Sequence, residues 1–210
     1  MSSSITKSKL RQRQNRRRAN RRKRARRRLL VAVCVIFMIC MSVIGIKSGL
    51  EMSRNIKYPV EYSSYITKYA NENDLDPYLV IAVIKQESNF VPDARSAYAG
   101  GLMQLTEETA HEYAGKLGLS NYDYMEPETN IRIGCYVLRS LIDKYEVVDT
   151  ALAAYNAGMG NVDKWLQNSE YSSDGETLKH IPFPETRHYV AKINDYYVEY
   201  KENVTINPDS

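Results

Sequence analysis

Residues 77–105 read PYLVIAVIKQESNFVPDARSAYAGGLMQL, and they predict a helix with a carboxylate on its apolar side. Asp76 followed by Pro77 marks the start, as an N-cap with proline at the first helical position. From there Val80, Val83, Ile84 and Glu87 stand at i, i+3, i+4 and i+7, so Glu87 shares a face with three aliphatic side chains. Glu87 also falls in the last turn, because Ser88-Asn89-Phe90 and Pro92 end the helix, and the negative end of the helix dipole disfavours a second negative charge there. Both placements destabilise the ionised form, which is how a carboxylic acid stays protonated near neutral pH and able to donate its proton. The plainer reading is a helix-end glutamate turned to water or paired with Lys85 or Arg95.

Charge divides the chain. Residues 1–28 hold 14 of the 29 Lys and Arg and no acidic residue, so this tail carries +14 and the remainder −10. It abuts LLVAVCVIFMICMSVIGI, residues 29–46, 18 residues without a charge, which as a helix would rise about 27 Å and nearly match a hydrocarbon core. A transmembrane helix is the expectation, with a cleavable signal peptide as its rival; the apolar core exceeds the usual signal-peptide length and no small-x-small cleavage site follows it clearly. Val33 and Ile39 precede Cys34 and Cys40, which does not suit a lipobox. Alone, the basic block RRRANRRKRARRR would also read as a nucleic-acid patch. Beside an apolar span it fixes orientation and attracts anionic lipid. The basic tail is then cytoplasmic, the cytoplasmic membrane is contacted through residues 29–46, and the acidic remainder lies outside with no sign of nucleic-acid binding. Cys135 alone remains in that outer part. A small buried side chain in a helix is its expected role.

Residues 47–57, KSGLEMSRNIK, read as a stalk, 58–201 as the main domain and 202–210 as a flexible tail. Apolar spacing in the domain is helical almost throughout, and nothing resembles an Asn-Gly hairpin between β-branched runs. An all-α fold is expected. Its helices are placed at Val60–Asn71, Pro77–Ser88, Leu102 or Thr106 to Ala114 with Gly115 as the stop, Glu128–Tyr145, Thr150–Asn156, a short one through Val162, Trp165 and Leu166, and Glu185–Lys201. Ile131, Val137, Leu138, Leu141 and Ile142 should face inward from the fourth.

Four separated motifs, ESNF at 87–90 with a serine nine residues after Glu87, GLMQL at 101–105, ALAAYNAGMGNV at 151–162 and FPETRHYV at 183–190, together resemble the lytic transglycosylase domain of the lysozyme-like superfamily. The type is related to the soluble lytic transglycosylases and, more distantly, to goose-type lysozymes; the resemblance covers about residues 58–200 and is nearest to membrane-anchored surface forms. It implies a lysozyme-like helical domain acting on peptidoglycan glycan strands, with cleavage of the β-1,4 bond between N-acetylmuramic acid and N-acetylglucosamine. It implies Glu87 as general acid and then base, forming a 1,6-anhydro ring without water. Further implied are Ser96 lining the sugar groove, Met103 and Gln104 of the GLMQ segment as substrate contacts, Tyr155 approaching the catalytic carboxylate, Asn156 holding its turn, and Tyr189 as a further tyrosine of the cleft. For Met103 core packing, and for Asn156 a capping role, are the competing readings. A lysozyme-like hydrolase and a weakly active wall-binding scaffold are the rival functions. A wall-remodelling or secretion-apparatus partner would suit such a domain.

The chain departs from the family in two places. Ser96-Ala97-Tyr98-Ala99-Gly100-Gly101 is one residue shorter before Leu102 than the usual S-x-x-G-A-x-G-L, so Ser96 or Arg95 takes the family serine's place, the step from Glu87 favouring Ser96. Thr106-Glu107 replaces Met-Pro, which loosens one wall of the cleft. All 17 tyrosines follow residue 57; Tyr98, Tyr122 and Tyr124, in expected loops, are candidates for stacking on sugars. The dispersed His111, His180 and His188 form no metal-binding pattern, so no metal and no cofactor is expected. No phosphate loop or G-x-S-x-G elbow appears.

Overall fold

The computed structural model describes residues 37–47, 49 and 58–207, and the chain falls into two units, Met1–Ile56 and Lys57–Ser210. In the first, residues 37–47 are helical (α1) with exposed side chains. Residues 29–36 of the expected span lie outside the described residues, as do residues 1–28 and most of the stalk. Among the described residues, no helix is long and apolar enough to cross a membrane.

The second unit is built from α2 (Ser63–Glu72), α3 (Pro77–Glu87), the two-residue strands β1 (Ala99–Gly100) and β2 (Leu105–Thr106), α4 (Glu107–Lys116), α5 (Pro127–Tyr145), α6 (Val148–Ala157), α7 (Met159–Leu166) and α8 (Pro184–Asn203). Helix α3 is its axis. Leu79 to Ile84 are six consecutive buried residues, so the helix is not amphipathic, as the i, i+3, i+4 reading supposed, but apolar all round and enclosed. It packs against α2 and α8. Asp76 ties two of these helices: Oδ1 accepts from the Tyr78 backbone N–H at 2.9 Å, and Oδ2 accepts from Tyr197 Oη and Lys201 Nζ of α8, each at 2.8 Å. Burial alone would raise the pKa of this carboxyl; the hydrogen bonds from Lys201, Tyr78 and Tyr197 outweigh it and hold the group below its ordinary value. On the other side α6 lies against α5, α7 and α8, its buried Ala151, Ala153 and Ala154 allowing close approach.

Several boundaries differ from the sequence reading for identifiable reasons. Tyr62 adopts φ 61°, so α2 starts at Ser63 instead of Val60. Thr106 caps α4, its Oγ1 accepting from Thr109 N at 3.1 Å, and Gly115 lies inside that helix; the left-handed residue that ends it is Gly118, φ 66°. Glu126 caps α5 by accepting from the backbone N–H groups of Glu128 and Thr129 at 3.1 and 2.7 Å. Ile142 is only half buried, while Ile131, Val137, Leu138 and Leu141 are buried as expected. The fold is mostly helical but not purely so. β1 and β2 pair antiparallel, Ala99 with Thr106 and Gly100 with Leu105, a hairpin too short for alternation to announce it.

Residues 204–207, expected to be loose, lie against the domain. Tyr78 Oη donates to Val204 O at 2.9 Å, Ser63 Oγ donates to Asn207 O at 2.6 Å, and Val204 and Ile206 pack on the core. Leu138 sits at the centre of α5 with no exposed surface, so Leu138→Ala is expected to lower the unfolding free energy by about 3 kcal/mol, from lost transfer energy and an unfilled cavity; urea unfolding of the two proteins measures it.

Candidate active site

Glu87 is the last residue of α3, and the backbone turns abruptly beyond it. Ser88, the C-cap, is buried and donates its backbone N–H and its Oγ to Ile84 O at 3.0 and 3.2 Å. Asn89 and Phe90 follow at φ 52° and 65°. Two consecutive left-handed residues without a glycine are costly, and they persist only where packing fixes them. The buried Phe90 ring supplies that packing, so the ESNF sequence fixes where the helix stops and thereby where Glu87 points.

Glu87 keeps a partial opening to solvent while protein atoms crowd its carboxyl group. Its Oε1 accepts one hydrogen bond, from Tyr189 Oη at 2.6 Å. Lys85 donates instead to Asn89 Oδ1, and none of the ion pairs among the described residues involves Glu87, so the reading as a water-facing or paired glutamate does not describe this site. Burial pushes the pKa of Glu87 up from 4.5 to about 7, although the Tyr189 hydrogen bond pulls the other way. The carboxyl therefore exchanges its proton near neutrality. Burial also raises the Tyr155 and Tyr189 hydroxyls well above their ordinary values, reinforced by the charge of Glu87.

Of the remaining candidates, Tyr189 and Tyr155 share this neighbourhood, both near enough for the charge of Glu87 to act on their hydroxyls. The hydroxyl on the carboxylate belongs to Tyr189, whereas Tyr155 Oη donates to Met103 O at 2.8 Å. Met103 has no exposed surface and packs its sulfur against Gly134, so its side chain is core and only its main chain serves the site. Gln104 stands at φ 46° and donates Nε2 to Gly101 O and Ala94 O at 2.9 and 3.0 Å. Ser96 is exposed, and its Oγ accepts from Ala99 N at 3.0 Å, closing the shortened loop into a turn with Tyr98 at the tip, 87% exposed. No hydrogen bond joins Ser96 to Glu87. Asn156 accepts from Thr186 Oγ1 at 2.8 Å, which ties the end of α6 to the helix bearing Tyr189.

Beside this group lies a half-open cavity of about 150 Å³ lined by Gln104, Thr106, Thr109, Tyr113, Tyr155 and Met159, among others. Glu87 does not line it; Tyr155 is the shared wall. Thr106, in the Met-Pro position, forms part of this wall. Tyr122 and Tyr124 are half buried against the core, leaving Tyr98 as the exposed ring of the three. The described residues contain no group of three His, Cys, Asp or Glu able to hold a metal. Sequence reasoning missed Asn130, fully buried on α5 and bonded to Met103 N at 2.7 Å. A signal was available: Asn130 precedes Val137 and Leu141 by 7 and 11 positions, on the same buried stripe.

The buried Glu87 carboxyl, bonded by Tyr189, thus stands near a half-open cavity, and the family described as "Transglycosylase SLT domain" matches residues 64–177. The chain belongs to this family. Among curated relatives, the soluble lytic murein transglycosylase of Salmonella typhimurium is 34% identical over 152 residues, covering 69% of this chain and 24% of that protein. The membrane-bound lytic murein transglycosylase C of Serratia proteamaculans is 28% identical over 168 residues, 67% of this chain and 47% of that one. A crystal structure of an inactive mutant of the lytic transglycosylase Slt from Pseudomonas aeruginosa superposes with a TM-score of 0.61 at 32% identity, covering 72% of this chain and 26% of that chain. The chain thus spans about a quarter of the length of the soluble relatives it matches.

Two outcomes follow from the Glu87 environment. Tyr189→Phe removes a hydrogen bond to the charged form, so the Glu87 pKa should move above about 7, as read by NMR titration of carboxyl-labelled glutamate. Because the folded-state value exceeds the ordinary 4.5, the folded protein retains a proton that the unfolded chain releases between those values, and Glu87 costs stability as pH rises through that window. Glu87→Gln should therefore gain about 3 kcal/mol relative to the wild type between about pH 4 and about pH 8; urea unfolding at both values checks it.

Proposed function

We propose that this chain cleaves the β-1,4 bond between N-acetylmuramic acid and N-acetylglucosamine in peptidoglycan by transglycosylation, with Glu87 as the only acid/base carboxylate. The observation that carries this reading is the buried Glu87 carboxyl, with a pKa of about 7 and a tyrosine hydroxyl as its hydrogen-bond partner. At that value both protonation states are populated near neutral pH, which one group needs if it is to act first as acid and then as base. Protonated Glu87 gives its proton to the leaving glycosidic oxygen as the C1–O4 bond breaks. The resulting carboxylate then takes the proton of the muramoyl 6-hydroxyl, whose oxygen bonds C1 and closes the 1,6-anhydro ring. Glu87 ends protonated and no water is consumed.

Attack by a hydroxyl of the same sugar needs no second carboxylate to activate water, since its effective concentration is already high. No carboxylate among the described residues contributes to the displacement of the Glu87 pKa, which accords with single-carboxylate chemistry. Tyr189 would orient the carboxylate, and Gln104 and Tyr155 would line the glycan-binding cavity. Ser96 would shape its outer loop. The names of relatives such as membrane-bound lytic murein transglycosylases C and F support a further reading from sequence: residues 29–46 anchor the chain in the cytoplasmic membrane, the basic tail inside and the catalytic domain on the wall side.

Mass spectrometry of muropeptides released from purified sacculi tests the chemistry. Wild-type protein should give products about 18 Da lighter than the hydrolysed ones, as expected for loss of water, while Glu87→Gln gives none and retains its fold. Hydrated reducing ends would instead identify a lysozyme-type hydrolase, and undiminished cleavage by Glu87→Gln would remove this residue from its role.

A further inference from the structure

Asn130 occupies a place where a core-facing helix ordinarily carries an aliphatic side chain. It lies in the N-terminal part of α5, has no exposed surface, and is followed along the helix by buried Ile131, Ile133 and Val137. An amide in that setting is tolerated only when its hydrogen-bonding groups find partners. Oδ1 accepts from Met103 N at 2.7 Å, and Nδ2 donates to Tyr124 O at 2.7 Å and to Gly100 O at 3.1 Å. Every partner is main chain. Gly100 and Met103 belong to the β1–β2 hairpin, one at the end of β1 and the other in the turn, so the side chain binds the turn much as a third strand would.

The fit is close on both sides. Gly101 stands at φ 81°, and a Cβ there would meet Asn130 Nδ2 at 2.2 Å, so the turn accepts only glycine while the amide is in place. Met103, held through its N–H by Asn130, receives the Tyr155 hydroxyl on its carbonyl. The next residue, Gln104, is left-handed, folds its own amide back onto Gly101 O, and lines the cavity. We infer that Asn130 is a positioning residue for the glycan-cleaving site: by holding Gly100 O and Met103 N it sets the turn that places Tyr155 and Gln104. This rests on the proposed function. Only an amide supplies the required set, one acceptor and one two-proton donor on the same short side chain. Aspartate keeps the acceptor but turns its second oxygen toward two carbonyls; alanine removes the side-chain partner of all three groups.

The test compares wild-type full-length chain with Asn130→Ala, Asn130→Asp and Gly101→Ala, the last approaching the same contact from the turn. Readouts are thermal unfolding, hydrogen exchange by mass spectrometry, and kcat and KM on soluble uncrosslinked glycan strands across pH. Expected for each folded variant are faster exchange confined to residues 100–106 and a kcat about 10- to 100-fold lower at saturating substrate, the scale of a displacement of about 1 Å at a reacting site. The acid–base midpoint near 7 should stay in place, because burial and Tyr189, which set it, are untouched. Folded variants with kcat within about twofold of wild type would overturn the inference, since a purely structural amide leaves each folded molecule fully active. Failure of all three variants to fold would also overturn it, by making the amide a requirement of the fold. If the wild type itself shows no turnover, the proposed function fails and the exchange data decide: acceleration confined to 100–106 supports a positioning role, and unchanged exchange there removes it.

Discussion

The hydrogen bond from Tyr189 to Glu87 joins the two helices on which the site depends. Helix α3 runs through the middle of the core and ends in a carboxyl group that the core cannot fully solvate. Without a partner, such a group would settle as a neutral acid. One hydroxyl offsets part of the burial, which leaves the pKa near 7. Each helix is then held at a second point: Asp76 at the start of α3 accepts from Tyr197 and Lys201 of α8, and Thr186 at the start of α8 donates to Asn156 of α6. A small number of cross-helix polar bonds therefore fixes the orientation of the Glu87 carboxyl.

The opposite wall is held by a different kind of contact. A hairpin with two-residue strands has too few ladder bonds to fix its own shape, and its turn contains left-handed Gly101 and Gln104. Its rigidity comes from outside, through Asn130 on one face and Tyr155 on the Met103 carbonyl. Polar groups inside the core hold polar groups at its edge. The shortened loop before this hairpin follows the same logic on a smaller scale, since the Ser96 hydroxyl closes its turn locally and leaves the exposed Tyr98 ring at the tip.

Much of the site was legible because its chemistry conflicts with helix economics. Glu87 stands on an apolar face and at the wrong end of the helix dipole, and both facts follow from spacing alone. Asn130 offered the same kind of signal, a polar residue in register with a buried stripe, in the first turn of the helix expected at Glu128–Tyr145. Met103 misleads in the other direction. Its motif suggests a ligand contact, yet its neighbour Gly134 leaves room for the sulfur only inside the core.

The sequence by itself determined a helical domain after residue 57, the proline and carboxylate that open α3, the acid at its far end, and the four motifs that define the family. These depend on local periodicity, capping and residue order, which are written along the chain. Tertiary structure alone decided which tyrosine meets Glu87, that α3 is enclosed on all sides, that residues 204–207 dock, and that a buried asparagine holds the GLMQ turn. Tyr189 lies 102 positions from Glu87 and Asn130 lies 27 from Met103. Contacts at such separations depend on how helices pack, which no local pattern encodes.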